Sequence, residues 1–253
     1  MGTSKSNPGA GPGSPLIPPW ADDGNPPPSP LPNRFQAFRV ALGKAARSIT
    51  SEDFGTALRH YASKATGGGG TAARRFGPMA KDGARLVNAL SQLRSGTAPN
   101  INGVDLGVLT GLPCDAAIDV LVTALSEGHG DSEKVRAAMQ EALANALDGQ
   151  VNFDPTQITD ELLIQILQNY LSECVFLDIV ANGAASLSKP ENGAQAIEVE
   201  NMLRETVKVA VDVAMQSSLQ AGTSLNQMTT SNLTQLQQQA IRDVWAAWEV
   251  EDL

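Results

Sequence analysis

The sequence predicts an all-α protein: a helical bundle preceded by a disordered Gly/Pro-rich N-terminal tail. Three observations carry this. Aromatic residues make up only 4% of the 253 residues, and alanine, leucine and glutamine are plentiful, which suits helices better than a β-sandwich. Beyond residue 33, apolar side chains recur at three- and four-residue spacing. Ten of the fifteen prolines fall between Pro8 and Pro32. Proline has a fixed φ and no amide hydrogen, so that stretch can form neither a helix nor a sheet core.

The chain divides by composition into a tail at 1–33, a basic helical segment at 34–94 and an acidic helical bundle at 104–253. In the tail, the apolar patch Leu16-Ile17-Pro18-Pro19-Trp20 reads as an anchor. Trp20 has no local core to join, so it either enters a partner's pocket or docks back on its own helices.

Residues 34–49 read as a first helix, with Phe35, Phe38, Leu42, Ala45 and Ile49 on one face. Thr50-Ser51-Glu52-Asp53 resembles a capping start for a second helix, which turns Phe54, Leu58 and Tyr61 inward. Gly67–Gly70 reads as a breaker or flexible connector. A third helix is expected from about Ala72 to Leu93, interrupted near Gly77-Pro78, then a loop over Ser95–Asn102. Pro113 can open the next helix at its first turn. Gly128-His129-Gly130 breaks the pattern, and Asp131 or Ser132 caps the helix that follows. Asp160–Val180 is the clearest amphipathic stretch. From about Ala196 to Gln220, Val207, Val209, Val211 and Val213 alternate with period two, a strand signal; the unbroken helix-forming flanks favour a helix. Ser231 is expected to cap a last helix carrying Trp245 and Trp248, whose spacing suits packing.

The net charge of −9 hides an asymmetry. Residues 34–94 hold eleven Lys or Arg against three acids, whereas residues 111–253 hold six against twenty-one. Such a split suggests either a polyanion site or one half docking on the other. Arg74 and Arg75, beside glycines and Phe76, are the candidate nucleic-acid contacts; the alternative is a solvated or paired basic face.

No run of eighteen apolar residues predicts a membrane span, and the proline-broken start does not read as a secretory signal. A cytoplasmic location is expected, with Cys114 and Cys174 as buried, reduced thiols. His60 and His129 have no third group at ligand spacing, and no zinc or P-loop motif occurs. The expectation is therefore no enzyme, no metal and no cofactor. Met1-Gly2-Thr3-Ser4-Lys5-Ser6 satisfies a myristoylation pattern, but a single acyl chain needs a second membrane signal. Once Met1 is removed, the α-amine of Gly2 is a usable nucleophile, with a pKa near 7.7–8.0. With no side chain, Gly2 can enter a narrow site.

These residues resemble a family. Met1-Gly2-Thr3-Ser4, Ser14-Pro15-Leu16-Ile17-Pro18-Pro19-Trp20-Ala21-Asp22-Asp23, Arg34-Phe35-Gln36-Ala37-Phe38-Arg39, His60-Tyr61-Ala62 and Ala73-Arg74-Arg75-Phe76-Gly77 after the glycine run resemble QatB. QatB is a component of the bacterial four-gene Qat anti-phage defence system. The resemblance covers about residues 1–90. It implies a non-enzymatic partner of QatC (a QueC-like protein), QatA (an ATPase) and QatD (a TatD-like nuclease). QueC-type enzymes use ATP to activate a carboxyl-deazaguanine for attack by an amine. The resemblance therefore implies Gly2 as a site of 7-deazaguanine conjugation. Thr3 and Ser4 would be read by hydrogen bonds, and Leu16, Ile17, Pro18, Pro19 and Trp20 would anchor the tail on the partner. An unmodified scaffold subunit and a nucleic-acid-binding module are the rival expectations.

Overall fold

The computed structural model describes residues 14–21, 29–126, 128–187, 192–219 and 224–250. Gly2, Thr3 and Ser4 lie outside them, as does most of the stretch expected to be disordered. Among the described residues the fold is all-α. The described residues include nine α-helices and one two-stranded ribbon.

Helix α1 (Gln36–Ser48) buries Phe38, Leu42 and Ala45, as the apolar spacing predicts. The Thr50 hydroxyl accepts from the Asp53 amide and starts α2 (Ser51–His60). That helix continues into a π-helical turn over Tyr61–Ala65, which the sequence does not signal. Helix α3 (Gly69–Arg75) and helix α4 (Gly77–Arg94) divide at Phe76, with Pro78 in the first turn of α4. The predicted loop at 95–102 instead contains strand β1 (Asn100–Ile101), paired antiparallel with strand β2 (Val104–Asp105). Helices α5 (Cys114–Leu125), α6 (Ser132–Ala146) and α7 (Asp160–Leu187) follow. Asn192 accepts from the Gln195 amide and caps α8 (Gly193–Ser218). In α8, Val207 and Val211 are buried while Val209 and Val213 are 52% and 60% exposed. Alternating valines thus fall on two faces of a helix, and the strand signal was spurious. The last helix, α9 (Thr230–Val250), is capped by the Thr229 hydroxyl rather than by Ser231.

Helix α7 is the centre, packed against α1, α4, α6 and α8, while α9 packs on α3, α4 and α8. It is long and apolar enough to cross a membrane, but 67% of its most apolar window is buried inside the protein. It is the core helix, and its Glu173 and Asp178 are paired with Arg204 and with Arg75 and Lys134. The basic segment and the acidic half do not form separate cores. Helices from both contribute to one continuous apolar cluster, and Arg75 and Arg94 of the basic segment pair with Asp131, Asp178 and Asp160 of the acidic half. Close approach matters at Gly83 of α4, where a Cβ would stand 2.6 Å from the Tyr170 ring. Cys114 and Cys174 are free and buried, as expected.

Candidate functional site

The site is where the tail meets the body. Pro18, Pro19, Trp20 and Ala21 form a turn closed by the Ala21 amide donating to the Pro18 carbonyl at 2.9 Å. Proline presets φ for such a turn. Ile17 is driven into the body and is 3% exposed. Leu16 lies against Gly67, whose φ of +77° is one that glycine adopts without strain. The four-glycine run is therefore more than a flexible connector. Gly67 gives room to the tail, and Gly69 gives room to α9, where a Cβ would stand 3.1 Å from the Arg242 carbonyl oxygen.

The Trp20 indole lies over Gly130 and donates from Nε1 to Asp131 Oδ2 at 3.0 Å. Of the two fates open to Trp20, the structure takes docking on its own helices. The indole remains 48% exposed. Pro19 is exposed and Pro18 half-buried.

Asp131 sits at the start of α6, where the sequence suggests a cap, but its carboxylate caps nothing. It instead receives both terminal nitrogens of Arg75, at 2.5 and 2.8 Å, a bidentate pairing. Arg75 Nη2 also reaches Asp178 Oδ1 at 3.2 Å. Lys134 donates to the same oxygen at 2.5 Å, and the Tyr61 hydroxyl donates to Asp178 Oδ2 at 2.6 Å. Burial alone would raise the Asp178 carboxyl, but Arg75 and Lys134 outweigh it and hold it at about 2. The same contest, won by Arg75, lowers Asp131. Burial and the Asp178 charge push the Tyr61 phenol well up, so it stays a donor.

Arg75, a predicted nucleic-acid contact, is thus corrected. Its side chain is 14% exposed and faces two carboxylates, which leaves no open fork for a phosphate. Arg74 is partly exposed on the short helix α3. His129 is also more than a loop residue: its Nε2 is 2.8 Å from Asp82 Oδ2, and its Nδ1 accepts from the Asp131 amide at 3.2 Å. Burial, then Lys64 and Arg59, push the His60 imidazole down. Trp245 and Trp248 pack in the core as expected, 5.2 Å between ring centroids. Among the described residues no group of His, Cys, Asp and Glu side chains is placed to hold a metal.

The geometry defines an all-α protein whose own N-terminal segment is seated across a buried ion cluster. The chain belongs to the QatB family: the family model described as Qat anti-phage system associated protein QatB matches residues 67–248. Membership places it among the components of that defence system. The matched span includes the acidic helical half, where the sequence offered no distinctive motif, and begins after the tail. No curated protein matches the chain, and no solved structure matches it.

Proposed function

We propose that this chain is a non-catalytic subunit of the Qat defence system that presents its N-terminus to the QueC-like enzyme QatC. The Gly2 α-amine is the group conjugated to a 7-deazaguanine. The supporting observation is the seated segment 14–21, with Ile17 buried and Trp20 hydrogen-bonded to Asp131. It changes the expected anchoring: Leu16, Ile17 and Trp20 grip this chain's own body, so the base of the tail is fixed from within. Upstream, the covalent chain allows Gly2 to stand no more than about 40 Å from Ser14. That is long enough to enter an active site on a neighbouring subunit. Thr3 and Ser4 supply hydrogen-bonding groups beside the amine, and the exposed faces of Pro19 and Trp20 remain for the partner. QatA and QatD are further partners in this reading.

The test is the intact mass and N-terminal peptide sequence of this protein, purified from cells carrying the whole operon with and without QatC. The expected result is a mass on Gly2 matching a deazaguanine amide, present only with QatC and absent from Gly2→Pro. A bare Gly2 in both preparations refutes modification and leaves the unmodified scaffold. A fatty acyl mass refutes it in favour of a membrane role.

A further inference from the structure

Between the seated segment and the body lies a cavity of about 580 Å³, within the usual range for small-molecule pockets. Residues 14–16 and 18–20 form its roof. Its floor is apolar at Phe35, Phe76, Ala72 and Ala181, and charged at Arg34, Arg75, Lys134, Asp131 and Asp178. Arg75 and Lys134 are occupied by the two aspartates. Arg34 is not.

Arg34 is 6% exposed, and its Nε is buried with no hydrogen-bond partner. Its Nη2 makes one long bond, 3.4 Å, to the Pro15 carbonyl of the roof, and its guanidinium stands 4.7 Å from the Phe35 ring centroid. No ion pair joins it to a carboxylate among the described residues. A buried guanidinium without a counter-ion is costly, and here burial lowers its pKa despite the distant Asp178 charge. The cavity's three cations against two carboxylates leave one positive charge over.

We propose that this cavity binds a small monocarboxylate with an apolar body, its carboxylate on Arg34 and its body against Phe35 and Phe76. The planar guanidinium fork suits a carboxylate. A phosphate dianion is disfavoured because Asp131 and Asp178 share the wall and repel the second charge. The ligand enters beneath residues 14–20, so its binding is linked to seating of the tail, and each changes the equilibrium of the other. The proposal does not depend on modification of Gly2.

The test uses the full-length ¹⁵N-labelled protein and follows the Arg34 Nε–Hε signal, identified by its loss in Arg34→Lys. Benzoate and phenylacetate are the probes, benzamide is the neutral isostere, and phosphate and chloride are the ionic controls. The expected result is a saturable shift with a carboxylate, at a Kd of about a millimolar or tighter for ligands of this size. Benzamide gives none, and Arg34→Gln weakens binding at least about tenfold, read from the Trp20 indole signal. Ala181→Leu, which keeps Arg34 but fills the floor, also abolishes the shift at an unchanged melting temperature; this arm stands if Arg34→Gln fails to fold. Equal response to benzamide, tighter saturation by phosphate, or no saturation by either carboxylate up to about 10 mM overturns the proposal.

Discussion

Gly130→Ala separates seating of the tail from stability of the body, because it touches neither the tail sequence nor the core. Gly130 is exposed and is not among the positive-φ glycines, so alanine fits its backbone. The added Cβ would stand 2.5 Å from Trp20 Cζ2 and 2.8 Å from Cδ2, and the indole must move. What it loses follows from the structure. The indole is 48% exposed. Burying the other half, on the order of 100 Å² at about 25 cal/mol per Å², stabilises by about 2.5 kcal/mol. The bond to the Asp131 carboxylate contributes about 1.5–3 kcal/mol. An indole that tilts rather than leaves keeps part of both, so seating weakens by about 2–4 kcal/mol. That raises the population of open tail roughly thirty- to several-hundredfold.

The assay is hydrogen exchange of the indole N–H groups by NMR. Trp20 reports the tail. Trp245, whose Nε1 donates to Thr66 Oγ1 at 2.7 Å, reports the body in the same sample. In Gly130→Ala the Trp20 indole should exchange faster by that factor while Trp245 is unchanged. If Trp20 exchange stays the same, or both indoles accelerate together, the indole over Gly130 is not what holds the tail.

Two predictions concern the ion cluster. Arg75→Ala removes the bidentate partner of buried Asp131 and leaves Asp178 with Lys134 and Tyr61 alone, and should destabilise the protein by about 3 kcal/mol in urea unfolding; Arg75→Lys should recover only part, lacking the bidentate fork. A loss under about 1 kcal/mol for Arg75→Ala would show the cluster to be solvent-screened. Asp178 is held at about 2 against an ordinary value of 3.8, a difference of about 2 kcal/mol. Because the folded value is lowered, that stability is present above about pH 4 and lost as pH falls toward about 2. Acid titration of unfolding free energy should show this loss in the wild type and a smaller one in Asp178→Asn; identical slopes would refute the assignment.

The helices were legible because each rests on local signals. The Phe38, Leu42 and Ala45 face, the Thr50 cap and the Asp160 amphipathic stretch all appear where spacing places them. The site was half legible. Leu16–Trp20 stood out as an anchor because an apolar patch in a proline-rich tail has no local core. Its seat did not stand out, since Trp20 and Asp131 are 111 residues apart and Tyr61 and Asp178 are 117 apart. Asp131 misled because a helix-start aspartate looks like a cap. Arg75 misled because a guanidinium beside glycines looks the same whether it meets phosphate or a buried carboxylate. Arg34 carried no signal at all; only burial distinguishes it from the other ten cations of its segment.

The seat has the energetics of something meant to be left. Among the contacts that hold residues 14–21 are one buried isoleucine, Leu16 against Gly67, half an indole, the Trp20 bond to Asp131 and the longer Arg34 bond to the Pro15 carbonyl. Fixing each backbone residue costs about 1–2 kcal/mol, and three of the eight are prolines whose φ is already set, which reduces that cost. The ordering cost cancels part of the gain, so the segment can open without unfolding the bundle beneath it. The aromatic centre of the body, by contrast, makes its ring contacts without the tail: Tyr61 packs on Phe38 and Trp245, and Trp245 packs on Phe76 and Trp248. Opening would also free the Asp131 oxygen bound by Trp20 while Arg75 keeps the carboxylate paired, so no charge is stranded when the tail lifts. A segment clamped on a self-sufficient ion cluster can lift from its own body without stranding a charge, which is the property that the proposed presentation of the N-terminus to QatC needs.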